Sequence, residues 1–287
     1  MQRSISVGFL AAALTCRAAG PVDFGLAELN AAMAARNLKY KPRIVTEINL
    51  EPPETFRIEP YTAGGGRIAG GDLRGLMYGL LEAAEQMRAT GRLKQTHGVP
   101  STTPRGVKIV ADPVATWFGS DDFWRDFLAS LAHNRFNRLQ LVFDRLPGPD
   151  LSGNLHKISE LSLQYSIDIA LGMKSAPEEF GPALLELLTQ CPAVRFVSLY
   201  GETDGIKPAV AAVLRKAGRR VVLDDNRLWQ VDPAQNASDE TGIRAVVATL
   251  SSGFEVAAPL GVAKRPESGP IRYWGRLGYD PKPRIGQ

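Results

Sequence analysis

The sequence predicts an α/β protein with two parts. A small α/β sheet domain comes first, followed by a (β/α) barrel of the TIM type that is abbreviated or incomplete. Three observations carry this. Residues 21–103 read as helix, strand, strand, strand, helix, a sheet covered by helices on one side. From residue 104 the pattern changes to strands alternating with helices, which argues for parallel pairing. After residue 226 roughly sixty residues remain, where three further strand–helix units would need about ninety.

In the first part, 26–36 is an Ala- and Leu-rich helix with apolar residues at helical spacing. Residues 43–50 alternate as a strand, 55–61 form a second, and Pro52-Pro53 separates them. Gly64 to Gly66 make a hairpin-like turn into a third strand. Asp72 is placed to cap a long helix that ends at Gly91. Leu76, Leu80, Ala83, Ala84 and Met87 would share its buried face. Residues 92–103 are polar and contain proline, and read as a linker.

In the second part, strands are expected at 106–112, 138–144, 168–174, 195–200 and 219–226. Helices are expected at 121–136, 158–166, 176–191 and 206–217. Asp121 and Asp122 sit in the first turn of one of them, as the helix dipole favours. Further on, 242–250 suits a helix, while 254–258 and 271–274 suit strands.

A net charge of +4 with scattered basic residues gives no footprint for nucleic acid. Two cysteines and three histidines have no zinc-type spacing, so neither a metal nor a cofactor is expected. No phosphate loop, nucleotide fingerprint or Ser-His-Asp motif is present. Arg3, the apolar run 7–15 and the small residues of CRAAG have the layout of a secretory signal over 1–19. That expectation makes the mature protein periplasmic or secreted, without a membrane anchor. Oligomeric state is not legible.

Acidic residues recur at or just past strand ends: Asp112, Asp144, Glu202, Asp224 and Asp225. Parallel strands would gather these on one rim, as carboxylate acid/base chemistry on glycosides requires. Acidic residues after strands also cap the next helix, and each one alone is explained as well that way. Trp117, Trp229 and Trp274 fall near the same ends, where an aromatic face could pack against a sugar ring. Trp124, inside an amphipathic helix, belongs to the core. Arg105 and Arg276 offer forked donors for hydroxyls or a carboxylate.

Several of these segments resemble a known group of enzymes. FRIEPYTAGGGRIAGGDLRGLMYGLLEAAEQM is similar to the small domain that precedes the barrel in bacterial α-glucuronidases and β-hexosaminidases. There a strand of type I-x-G-x-D leads into a helix of type R-G-x-x-Y-G, here Arg74, Gly75, Tyr78 and Gly79. PRGVKIVAD resembles the opening of their barrel. The resemblance gives Arg105 the place of an arginine that contacts substrate hydroxyls. LAHNRFNRLQLVFD is similar to their second-strand region, which adds Asn137. YGETDG resembles the acidic motif after strand four and offers Glu202, although Thr203 follows it where hexosaminidases have an adjacent Asp-Glu pair. WGRLGYDP is similar to the terminal segment of α-glucuronidase-like proteins.

The expected function is therefore a glycoside hydrolase acting on a uronic-acid-containing or related glycan. Glu202 would be the acid and Asp224 or Asp225 the opposing carboxylate. Arg105, Asp112, Trp117, Asn137, Asp144, Trp229, Trp274 and Arg276 would bind substrate. The alternative is a non-catalytic glycan-binding protein on a degenerate barrel.

Overall fold

The computed structural model describes residues 20–37, 42–62, 64–100, 105–111, 117–175, 180–199, 205–217, 221–224, 244–249 and 254–260. The expected signal segment and the last expected strand, 271–274, lie outside these residues.

Helix α1 (Pro21–Ala35) and strands β1 (Arg43–Ile48), β2 (Phe56–Pro60) and β3 (Gly65–Gly70) come first, then helix α2 (Leu73–Thr90) and the short strand β4 (Thr96–Gly98). The sheet order is β1-β3-β2-β4. β1 runs parallel to β3, whereas β2 is antiparallel to β3 and to β4. The tight β2–β3 hairpin turns at Gly64 (φ 90) and Gly65 (φ 84), left-handed values that glycine adopts without a Cβ penalty. The expected linker is thus partly an edge strand. Its Thr-His-Gly sequence is too short and polar to show a period.

The inner face of this sheet, Ile58 and Ile68, is fully buried against α2. α2 is buried on nearly every side because it has partners all round: the sheet, α1 and the second unit. The five residues expected on its buried face are buried, and Met77, Tyr78 and Leu81 join them. The other face of the sheet is laced with charge. Arg67 pairs with Glu47 and Glu59, and Arg57 pairs with Glu51 at 2.6 Å.

The second unit contains β5 (Gly106–Val110), α3 (Asp121–His133), β6 (Arg138–Arg145), α4 (Pro149–Gln164), β7 (Asp168–Ser175), α5 (Phe180–Gln190), β8 (Val194–Leu199), α6 (Lys207–Lys216) and β9 (Val222–Asp224). β5 through β9 are neighbours in chain order and all parallel. A helix lies between each consecutive pair, so these strands follow the course of (β/α) units. α4 begins nine residues before the expected 158, at a Gly148-Pro149 start whose polar first turns hide the helical period.

The end of the described chain departs from expectation. The residues expected as a helix at 242–250 form β10 (Arg244–Thr249), and β11 (Phe254–Leu260) follows. The two make an antiparallel hairpin, and β11 pairs antiparallel with β5. The β-branched pair Val246-Val247 suits a strand at least as well as a helix, and pairing with β11 decides it. A barrel of parallel strands would place a parallel strand against β5. Among the described residues the sheet has seven strands, ordered β10-β11-β5-β6-β7-β8-β9, and no pairing joins β9 to β10. No described helix is long and apolar enough to cross a membrane.

Candidate functional site

Side chains alternate along a strand, so registered rows sort the large sheet into two faces. Ile109, Leu141, Leu171 and Val197 form one row, all buried in the core with the helices. Lys108, Gln140, Ala170, Phe196 and Val222 form the row on the opposite face. The next row on that face joins Val142, Gly172 and Ser198, with Asp224 as the register partner of Ser198. These two rows make up the second face of the parallel sheet. Gln140 and Ser198 are fully buried in it. Near its amino end the Arg138 guanidinium stacks over the Phe196 ring at 3.7 Å.

The carboxyl ends of the parallel strands make the rim. Asp144, the next-to-last residue of β6, is exposed there. Trp117 lies in the turn after β5, half-buried. Its ring packs 5.3 Å from Phe123 and 5.7 Å from Trp124, so one face belongs to the packing of α3. Trp124 is core, as expected, and donates Nε1–H to the Phe118 carbonyl at 2.9 Å. Asp224 closes β9. Asp112, Glu202, Asp225, Trp229, Trp274 and Arg276 lie outside the described residues. In sequence Glu202 follows the end of β8 by three positions.

Two expected substrate contacts are placed elsewhere. Arg105 immediately precedes β5 and Asn137 immediately precedes β6, so both stand at the amino ends, opposite the rim. Arg105 is 0% exposed and Asn137 3%. Arg105 donates Nη2–H to Glu54 at 2.5 Å and Nε–H to the Arg135 carbonyl at 2.7 Å. Asn137 accepts from the Arg105 backbone at 2.8 Å and donates Nδ2–H to Glu54 at 2.7 Å. Both bond Glu54 of the small unit, so these residues help to join the two units. The resemblance located the arginine by motif, and only the strand direction shows which end it occupies.

The joint has further members. Arg74 of α2 donates to Glu54 at 2.8 Å, to Asp168 at 2.9 Å and to the Ser166 carbonyl at 2.8 Å. The Tyr78 hydroxyl reaches the Phe136 carbonyl at 3.1 Å. The Arg135 guanidinium lies 5.4 Å from the Tyr78 ring centre, with Glu82 at 3.6 Å. Burial alone would raise the Glu54 pKa. The charges of Arg105 and Arg74, with hydrogen bonds from Arg105 and Asn137, outweigh it and hold the carboxyl below its usual value. Burial pushes the Tyr78 phenol up.

Sequence reasoning did not single out Lys108, Gln140 and Ser198, polar residues of β5, β6 and β8 that share the second face of the sheet. Asp144 is exposed at the carboxyl end of β6. Among the described residues no group of three or more His, Cys, Asp or Glu could hold a metal ion.

No family model matches the chain, and no curated protein matches it. Solved structures do. A GH138 enzyme targeting pectin rhamnogalacturonan II aligns at TM-score 0.54 and 14% identity, over 69% of this chain and 33% of that one. CpGH84D aligns at 0.50 and 12%, over 71% of this chain and 44% of that one. A family 20 β-N-acetylglucosaminidase aligns at 0.49 and 13%, over 68% and 58%. The chain therefore spans a third to just over half the length of these proteins. At such identities the likeness to the GH138 enzyme and to CpGH84D is one of fold alone.

Proposed function

We propose that the chain belongs to a secreted or periplasmic glycoside hydrolase acting on a uronic-acid-containing or related glycan. The observation that carries this is the consecutive parallel order of β5 to β9, which sets the ends of all five strands on one rim. Asp144 is on that rim, and Asp224 ends the strand beside β8, whose continuation carries Glu202. Glu202 is the general acid in this reading and protonates the leaving oxygen. Asp224 or Asp225 attacks the anomeric carbon or activates water, depending on the carboxyl separation. Trp117, with Trp229 and Trp274, packs on the sugar, and Asp112, Asp144 and Arg276 bind its polar groups. The fold shared with glycoside hydrolases supports the same class.

The test is Glu202→Gln, assayed on activated aryl glycosides with uronic and neutral sugars. Loss of at least about 100-fold in turnover with an unchanged circular dichroism spectrum is expected. Unchanged turnover removes Glu202 from the role. One observation favours a second reading, a non-hydrolytic glycan-binding protein: the antiparallel hairpin stands beside β5, where a complete barrel has a parallel strand. That reading expects calorimetric sugar binding with no hydrolysis at any pH.

A further inference from the structure

Glu54 sits in the turn between β1 and β2, in a left-handed conformation (φ 66) that is uncommon for a residue with a side chain. That backbone is held from two sides. Its own N–H donates to Asp72 Oδ1 at 3.0 Å, and the next residue, Thr55, donates its N–H to the Pro52 carbonyl at 3.3 Å. The turn delivers a carboxylate, 6% exposed as a residue, to the amino ends of the parallel strands. Three donors converge on it from three places in the fold: Arg74 in α2, Arg105 before β5 and Asn137 before β6. Tyr78 and, through Arg74, Asp168 belong to the same charged cluster, with Asp72 on the Glu54 N–H and Arg135 beside Tyr78.

We propose that Glu54 is an acid-sensitive latch: ionised, it locks the small unit beneath the parallel sheet, and protonated, it lets the two units separate. The chemistry follows from donor and acceptor counts. An ionised carboxylate only accepts, which suits three converging donors. Adding a proton turns one acceptor position into a donor aimed at other donors. It also removes the negative charge between two guanidinium groups. The sign follows from a folded pKa held below the unfolded one: the latch's stabilisation is full above the unfolded carboxyl value and is lost as pH falls through the folded value.

The test uses the full chain. Hydrogen exchange of α2 and β2 amides is followed against β6 and β7 amides as pH is lowered from 7 to 3, alongside calorimetry. At pH 7 a single transition is expected. On acidification, protection should fall first in α2 and β2, and the transition should split. Glu54→Gln should behave at pH 7 as the acidified parent does, with little further dependence on pH in that window. Asn137→Ala keeps every charge but removes one donor to the carboxylate. It should move the midpoint of acid release up by roughly half a pH unit. A purely structural role would weaken Asn137→Ala equally at all pH values, with no shift in midpoint. That outcome, or simultaneous loss of protection in both units of the parent, overturns the proposal.

Discussion

Gly75 shows how strongly one residue can be specified. A Cβ built there would lie 2.2 Å from the Thr55 carbonyl oxygen, so the first turn of α2 touches the backbone leading into β2. Gly79, one turn on, would meet Ile68 at 2.9 Å. Alanine gains about 1 kcal/mol in helix propensity over glycine. Overpacking against a backbone carbonyl costs about 3 kcal/mol and should win. Gly75→Ala is therefore expected to lower the Tm by several degrees, read by thermal unfolding. The same scale explains what was legible in the R-G-x-x-Y-G motif and what was not. Its residue types were plain in the sequence. Their duties as close contact (Gly75, Gly79), ion-pair hub (Arg74) and carbonyl-bound hydroxyl (Tyr78) depend on residues 54–56, 68, 135–136 and 166–168, which come near only on folding.

α2 is the element that the sequence specifies most fully, because its signals are local. Asp72 accepts from the Gly75 N–H at 2.6 Å, and Gly91 ends the helix in the left-handed conformation (φ 70). Asp72 Oδ1 also holds the Glu54 N–H, so the cap does two jobs. Asp72→Ala should lose about 2 kcal/mol in denaturant unfolding, the upper end for a cap. Asp72→Ser should recover part of it through capping alone. Elements with weak local signals were the ones misjudged. The start of α4 is polar, β4 has three residues, and 244–249 fits helix and strand alike until β11 pairs with it. In each case a neighbour supplies what the local sequence lacks.

For the whole molecule, the joint between the two units is the main energetic link outside the apolar core. Arg74 alone bonds Glu54 within the small unit and Asp168 and Ser166 in the large one. Arg74→Ala removes one of two guanidinium groups from a buried carboxylate that keeps Arg105, and should lose about 2 to 3 kcal/mol of unfolding free energy, measured by urea titration. The sequence by itself determined the mixed α/β character, the order of strands and helices from β5 to β9, and the caps of α2. Those features follow from periodicity and from short-range bonding, which neighbouring residues settle among themselves. Which end of the sheet Arg105 and Asn137 occupy, and that an antiparallel hairpin stands against β5, were decided only by tertiary structure. Strand direction and edge pairing are relations between segments far apart in the chain, and no local run of residues encodes them.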